Sequence, residues 1–190
     1  SYVTSRLLLG AAVRFEDYSD TGSNQTGKLT ARFNATDTFS FRGSISTGVR
    51  APGIQQELFS QVSTTLGSGG VLTDTVTVRQ GSALAAAFGI QPLKEETSQS
   101  STLGFAWRPG NGFSLTADLY NIRIDDRIVL SGYVTPDGAP GCTDPAVCPA
   151  RVLLEAVNVG AANFFTNAID TKTKGVDIVA QYETMLANEA

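Results

Sequence analysis

The segment Lys28-Leu29-Thr30-Ala31-Arg32-Phe33-Asn34-Ala35 alternates strictly between polar and apolar side chains, and this alternation decides the fold class. The odd-numbered positions are apolar and the even-numbered positions are polar or charged. Successive side chains of a β-strand point to opposite faces, so the pattern places all apolar groups on one face and all polar groups on the other. The segment is therefore predicted to be a two-faced β-strand.

Five further segments show the same alternation. They are Leu9–Glu16, Phe39–Arg50, Thr102–Arg108, Ser114–Leu119 and Val176–Glu183. In the last of these, Val179 interrupts the polar face. Together with the first segment they predict six two-faced strands.

The connections between these strands alternate between long and short. The segments 36–38 and 109–112 are short and rich in residues that favour turns. The links at 17–27, 51–97 and 126–174 are longer, and all three fall at the same end of the predicted strands. Short turns at one end and long loops at the other are typical of outer-membrane β-barrels. In a compact soluble domain, two loops longer than about 15 residues are uncommon unless they have a function.

Alternation alone does not separate a membrane barrel from a soluble β-sandwich. A sandwich turns its apolar face inward, whereas a barrel turns it toward lipid and lines its lumen with the polar face. Besides the loop asymmetry, the polar face favours the barrel because its small residues and arginines suit a hydrated interior. Aromatic residues also flank the short turns, as they do at membrane interfaces. These residues are Phe33, Phe39, Trp107 and Phe113.

The fold is therefore predicted to be all-β: an antiparallel meander of about six strands with long loops, forming part of a transmembrane β-barrel. A self-contained soluble β-sandwich that acts as a binding module remains the alternative. The fifth strand changes phase, because after Leu119 the apolar positions move to Tyr120, Ile122 and Ile124. Either a β-bulge near Asn121 or departure of the strand from the membrane would explain the change.

The composition excludes several classes of function. The chain has 190 residues, of which 42% are hydrophobic, so it is not expected to be disordered. Its net charge of −4 without a basic cluster disfavours a nucleic-acid surface. Without histidine and with two cysteines, it can form neither a Ser-His-Asp triad nor a four-thiolate metal site. We predict no catalytic residue, no metal ligand and no cofactor, and hence no enzyme.

Several short motifs follow one another along the chain in a recognisable order. The first, Gly48-Val49-Arg50-Ala51-Pro52, stands where a predicted strand ends and a long link begins. It resembles the Gly-x-Arg-Ala-Pro signature of TonB-dependent outer-membrane receptors, which ends an upward strand and opens an extracellular loop. This motif departs from the family at Gly53, where Ser commonly follows the Pro. The segment Pro92–Thr97 resembles the family's return into the next strand. Further matches follow in the family's order: Phe113–Tyr120, Ile122–Ile128, Phe164–Thr171 and Lys174–Asp177.

The resemblance covers nearly the whole chain and implies a barrel of ~22 strands, of which residues 1–190 would supply a piece from the later half. The long extracellular loops would lie at about 51–97 and 126–174. No plug domain, TonB-contacting box or terminal aromatic strand is recognisable in this sequence. These parts are therefore expected elsewhere in the parent receptor. The isolated piece is expected to self-associate through its apolar faces and bare strand edges.

The resemblance also implies a function. Receptors of this family reside in the outer membrane of Gram-negative bacteria and import scarce nutrients, namely siderophores, haem, cobalamin or oligosaccharides. The expected partners are outer-membrane lipid, a small nutrient ligand, and the TonB complex acting through the plug of the parent. Ligand contacts in the family come from the upper wall and the extracellular loops. The candidate ligand-binding residues are therefore Arg50, Gln55 and Gln56.

Arg14, Arg32 and Arg42 fall on the predicted lumenal face. One interpretation is a basic wall that contacts the plug or steers an anionic ligand. The other is that these arginines pair with carboxylates such as Glu16 and Asp118 as ordinary wall residues. The sequence leaves both interpretations open.

Cys142 and Cys148 lie in a loop that also contains Pro145 and Pro149. In an exported protein, two cysteines in such a loop predict a local disulfide that braces it. A pair of free thiols is the alternative. The neighbouring segment 146–156 is predicted to form a short helix whose apolar face packs against the loop.

Overall fold

A computed structural model describes residues 5–18, 22–66, 70–136 and 149–184. These residues contain eight strands and three short helices. In chain order the elements are β1 (Leu7–Tyr18), β2 (Gly22–Asn34), β3 (Phe39–Arg50), α1 (Ile54–Leu58), β4 (Gln61–Leu66), β5 (Leu72–Val78), α2 (Ala83–Ala87), β6 (Glu96–Gly110), β7 (Phe113–Leu130), α3 (Pro149–Ala156) and β8 (Ala161–Tyr182). None of the helices in the described ranges has the length and apolarity that a membrane span requires.

The chain divides into two compact units. The first, here called the wall unit, comprises residues 1–50, 97–125 and 170–190. The second, here called the loop unit, comprises residues 51–96 and 126–169. Both short turns belong to the wall unit, and most of the two long connecting segments belongs to the loop unit.

The wall unit is a β-meander. Its strands lie in the order β1-β2-β3-β6-β7-β8. The pairs β1–β2, β2–β3 and β6–β7 are antiparallel. The predicted all-β fold class, with its six-strand meander, is therefore confirmed.

Cross-strand register places the apolar side chains of neighbouring strands on a common face. Leu29 pairs with Ile45, and Leu103 pairs with Leu119. These four side chains are 54–60% exposed. In a β-sandwich the same face would pack against a second sheet and be buried. An exposed apolar face is instead what a lipid-facing barrel wall requires, so the structure does not favour the sandwich.

The phase change in β7 is not caused by a bulge. The β6–β7 register is continuous from Thr97↔Asp125 to Trp107↔Leu115, and the register shift lies beyond Trp107. On the face that carries Leu103 and Leu119, the next pair toward the long segments is Ser101↔Asn121. That face therefore turns polar while the strand continues, which supports departure from the apolar band.

The first of the three predicted long links is largely strand. Residues 17–27 were expected to form a loop, but β1 runs to Tyr18 and β2 begins at Gly22, and these two residues are paired. The polar end of this hairpin is held by hydrogen bonds such as that from Ser23 Oγ to Asp17 Oδ1, 3.0 Å. Hydrophobic alternation fades where both faces are polar, although the backbone pairing continues.

The loop unit has its own hydrophobic core. It contains the β4–β5 hairpin, and β5 pairs in parallel with the start of β8, from Thr75↔Ala161 to Val78↔Phe164. Leu154 of α3 is fully buried among side chains from both long segments, which confirms the predicted helix and its packing. The core residues are Val76, Val78, Ala85, Leu154 and Ala162. The strands β4 and β5 and the parallel pairing were not predicted.

Capping explains why the five-residue helix α2 forms. Ser82 Oγ accepts a hydrogen bond from Ala85 N at 3.1 Å at the start of the helix. At its end, Gly89 has φ +71°, and Gly89 N and Ile90 N donate to Ala86 O and Ala85 O. This Schellman motif satisfies the last carbonyls of the helix. The capped helix places Ala85 in the core of the loop unit.

Candidate functional site

An open cavity of about 800 Å³ extends along the polar face of the wall unit. Side chains from all six strands of the meander line it. The charged ones are Lys28, Arg32, Arg42, Asp118 and Asp177. The basic groups lie on β2 and β3 and the acidic groups lie on β7 and β8, so the charge changes sign across the cavity.

Arg42 joins the two halves of this charge pattern. It lies directly opposite Arg32 in the β2–β3 register, which brings two like charges together. Its Nε donates to Asp118 Oδ1 at 2.8 Å, and a second bond joins its terminal nitrogen to Asp118 Oδ2. A bidentate pair of this kind fixes the plane of the guanidinium. Because both side chains remain partly exposed, we assign the pair at most about 1 kcal/mol of stability.

A glycine permits this contact between side chains on strands that are not neighbours. Gly104 of β6 pairs with Asp118 of β7. On the other side of β6, the hydroxyl groups of Ser44 and Thr102 are hydrogen-bonded, and Arg108 N donates to Thr38 O. This register between β3 and β6 places Gly104 opposite Arg42. Gly104 is buried, and a Cβ at this position would lie 2.5 Å from Ala117 O and would overlap the Asp118 carboxylate. The missing side chain therefore leaves space for the Arg42–Asp118 pair above β6.

The other two predicted wall arginines also have partners. Arg14 forms an ion pair with Glu16 two residues along β1, at 2.5 Å. Arg32 Nε donates to Asn34 Oδ1 at 3.1 Å. The Arg14–Glu16 contact is a carboxylate pairing of the kind that the second interpretation describes, whereas the partner of Arg32 is an amide oxygen. The lumenal position of these arginines stays a prediction.

The candidate ligand-binding residues lie on different elements. Arg50 is the exposed last residue of β3, in the wall unit. Gln55 and Gln56 belong to α1, in the loop unit. Gln55 is exposed, whereas Gln56 Oε1 accepts a hydrogen bond from Gly53 N at 2.9 Å and so caps the helix. The predicted disulfide between Cys142 and Cys148 lies outside the described residues and stays a prediction.

The loop unit contains a smaller pocket of about 310 Å³. Its lining combines the apolar Phe88, Ile90 and Phe164 with the polar Lys94 and Asn167. Phe88, Ile90 and Phe164 also pack against the core of the loop unit, so one side of the pocket is supported by that core.

Asn167 holds the polar side of this pocket in place. Its Oδ1 accepts a hydrogen bond from Lys94 N at 2.8 Å. Its Nδ2 donates to Lys94 O at 2.9 Å and to Asp126 O at 2.6 Å. One carboxamide therefore joins β8 to the end of the first long segment and to the start of the second.

Replacing Asn167 with alanine is expected to loosen the loop unit. The variant loses three hydrogen bonds, each worth about 1 kcal/mol, so we expect a local destabilisation of about 2–3 kcal/mol. Amide hydrogen exchange at Lys94 reports this directly, because that amide bonds to the lost oxygen. Thr166→Ala, a neighbouring change in the same pocket, is the matched control. Equal protection of Lys94 in both variants would show that Asn167 does not hold the segment.

Comparison with protein families identifies the fold. The family model for the TonB-dependent receptor-like β-barrel matches residues 1–188. The chain belongs to this family. Solved structures of three receptors resemble this fold and are compared below, and a search of curated proteins gave no match.

The siderophore receptor PirA of Pseudomonas aeruginosa matches with a TM-score of 0.66 and 17% identity, over 93% of this chain and 28% of that one. A mutant of the ferric enterobactin receptor PfeA from the same organism, in complex with enterobactin, matches with a TM-score of 0.63 and 16% identity, over 93% and 22%. The hemophore receptor HasR of Serratia marcescens gives 0.51 and 12%, over 94% and 27%. At these identities the likeness concerns the fold. The present chain spans about a quarter of the length of the receptors in these structures.

Sequence reasoning missed three residues that organise these sites. Gly104 occupies a polar-face position inside an alternating strand, where a glycine signals a close approach. Asn167 and Glu96 gave no comparable signal, because their partners are backbone groups distant in sequence. Glu96 is 8% exposed, and its Oε1 accepts a hydrogen bond from Ile128 N at 2.9 Å. Both residues lie within segments that resemble family motifs.

Proposed function

We propose that this chain forms part of the wall and the extracellular loops of an outer-membrane receptor that binds a scarce nutrient. The receptor imports the nutrient to the periplasm with the TonB complex, which acts through the plug of the parent protein. The match of the family model to residues 1–188 carries this proposal. The exposed apolar face of the wall unit supports a location in the outer membrane, because that face suits lipid contact.

The nutrient class is a siderophore, haem, cobalamin or an oligosaccharide. The structures that resemble this fold include receptors for siderophores and a receptor in complex with a hemophore and haem. Siderophores and haem are therefore the ligands to test first.

The polar residues have two roles in this proposal. Arg14, Arg32 and Arg42 belong to the lumenal wall, where the Arg42–Asp118 pair fixes one of them. Arg50 and Gln55 contact the ligand at the start of the first extracellular loop. Gln56 contributes mainly through α1, because its carboxamide oxygen caps that helix.

Nutrient uptake by cells tests the proposal. Cells that carry the gene for this protein are compared with cells that lack it, each with and without TonB. We expect the protein in the outer-membrane fraction and accumulation of a labelled ferric siderophore or haem that requires both the gene and TonB. A nutrient that enters by a TonB-independent porin is the control. Recovery of the protein in the soluble fraction, or uptake of every tested nutrient without TonB, would contradict the proposal.

A further inference from the structure

A small pocket lies on the polar face of the wall unit, beside the short turn between β2 and β3. Its volume is about 40 Å³, and its lining includes Arg32, Thr36, Asp37, Ser40, Ala106 and Arg108. Arg32 also lines the larger open cavity, so the two spaces adjoin. Because one water molecule needs about 10–15 Å³, the pocket has room for one small ion and not for a nutrient molecule. It is called the turn pocket below.

Ser40 lies at the centre of the turn pocket. In the β2–β3 register it pairs with Asn34, and Arg32 lies two residues away on β2. The register between β3 and β6 places Ala106 opposite Ser40, and Arg108 lies two residues further along β6. Diagonal neighbours of this kind are about 7–8 Å apart, within reach of long side chains. The two arginines therefore approach Ser40 from opposite sides, one from β2 and one from β6.

The hydroxyl group of Ser40 has no hydrogen-bond partner among the described residues, although Ser40 is buried and only 8% exposed. Buried polar side chains are normally hydrogen-bonded to protein or to water. The neighbouring Ala106 has only a methyl side chain, so it leaves the space above β6 open beside this hydroxyl. Ser40 thus presents a hydrogen-bond donor to an occupant of the turn pocket.

The turn pocket has an excess of positive charge. Arg32 uses its Nε to donate to the neutral carboxamide of Asn34, and four of its five N–H donors remain. Arg108 forms no ion pair within the described ranges. Asp37 also lines the pocket, but in that part of the chain it is not ion-paired with either arginine. Two cations and one carboxylate leave a site that favours an anion.

We propose that the turn pocket binds a tetrahedral oxyanion, represented by inorganic phosphate. Arg32 and Arg108 donate N–H groups to it from opposite sides, and Ser40 donates its O–H from between them. Hydrogen bonds from guanidinium groups to phosphate are charge-assisted and geometrically specific. Donors from three strands suit an ion whose oxygen atoms point in several directions. A planar carboxylate can form a bidentate pair with only one of the two guanidinium groups.

A bound oxyanion would also relieve repulsion between like charges in this region. Arg32 lies directly opposite Arg42, and Asp118 is paired with Arg42 alone. The ion supplies Arg32 with a counter-charge and joins β2, β3 and β6 at the end of the wall unit that carries the short turns. The inference goes beyond the proposed function and does not rest on it, because no step requires lipid, a nutrient or TonB.

The experiment measures phosphate binding to the protein as its gene encodes it. The protein is kept in dodecyl maltoside, a detergent without phosphate, and is titrated with inorganic phosphate in a calorimeter. Ser40→Ala and Arg108→Gln are compared with Arg127→Gln. This control removes the same charge as Arg108→Gln, but from an exposed residue of the loop unit. Acetate and chloride are tested as competitors at equal ionic strength.

A hydrogen bond to a charged group contributes about 10-fold or more to affinity, so Ser40→Ala and Arg108→Gln should each bind phosphate about 10-fold more weakly. Arg127→Gln should bind it like the wild type. Asp37→Asn removes a charge of the same sign as the ligand and should bind it about 3-fold more tightly.

Wild-type affinity in either Ser40→Ala or Arg108→Gln would overturn the inference, and so would equal competition by acetate or chloride. Ser40→Ala removes no side-chain hydrogen bond among the described residues, so it decides the question even if Arg108→Gln does not fold. Uptake that does not require TonB would contradict the receptor proposal and leave the phosphate site intact.

Discussion

Replacing Leu103 with arginine is expected to destabilise the membrane-inserted protein by about 2–4 kcal/mol, the cost of a cation on the lipid face of a barrel near mid-depth. Leu103 is 60% exposed and lies between Trp107, toward the short turn, and Ser101, at the polar border. If its exposed side meets lipid, the guanidinium has no water or carboxylate at that depth. The free energy of unfolding by denaturant from phosphatidylcholine vesicles measures the effect.

The neighbouring position supplies the matched control. Thr102 is the next residue along β6 and lines the open cavity on the polar face. Thr102→Arg loses the hydroxyl hydrogen bond to Ser44, 2.8 Å, which is worth about 1 kcal/mol. The new cation faces a hydrated cavity that holds Asp118 and Asp177. Similar losses for both variants, or a larger loss for Thr102→Arg, would show that the apolar face does not meet lipid.

The strands of the wall unit were predictable because a strand whose two faces have different surroundings alternates between polar and apolar residues. The alternation around Leu29 and Leu103 marks strands whose two faces meet different media, and the turns are marked by residues such as Gly110 and Asn111. Where both faces are polar, as near Asp17 and Ser23, the alternation is absent. The pairing there depends on backbone hydrogen bonds, which any sequence can make.

The loop unit was less predictable because its core joins residues that are distant in the sequence. Leu154 and Ala85 come from different long segments, and the pattern of either segment alone does not indicate which residues of the other it packs against. Strand β5 did carry a signal, since threonines at 73, 75 and 77 alternate with Leu72, Val76 and Val78, although Asp74 interrupts the apolar positions. Its parallel pairing with β8 carried none, because parallel register depends on how the intervening chain folds.

The candidate site on the polar face was also predictable only in part. The positions of Arg32 and Arg42 on the polar face follow from alternation, and Asp118 was recognised as a possible partner. The order of β3, β6 and β7 follows from the predicted meander. The specific pairing of Arg42 with Asp118 was not predictable, because strand order does not give the register that brings these two residues level on either side of Gly104. Gly104 acquires its role only once this register is known.

Substituting alanine for Gly104 is expected to destabilise the wall unit by about 1–3 kcal/mol, the usual cost of extra volume at a packed position. The added Cβ would lie 2.5 Å from the backbone oxygen of Ala117, which cannot move without disturbing the β6–β7 ladder. It would also displace the Asp118 carboxylate from Arg42, leaving Arg42 opposite Arg32 without its counter-charge. Unfolding from vesicles measures the loss.

Gly27→Ala is the control, because a Cβ there has its nearest neighbour, Ala12 O, at 3.9 Å. Glycine weakens a strand by roughly 0.5–1 kcal/mol relative to alanine, so this variant should be as stable as the wild type or more stable. Combining Gly104→Ala with Asp118→Ala separates the two contacts. Removing the carboxylate relieves its overlap with the new methyl group, whereas the contact with Ala117 O remains. The double variant should therefore lose less than the sum of the two single losses. Strict additivity would mean that Gly104 does not make room for the Arg42–Asp118 pair.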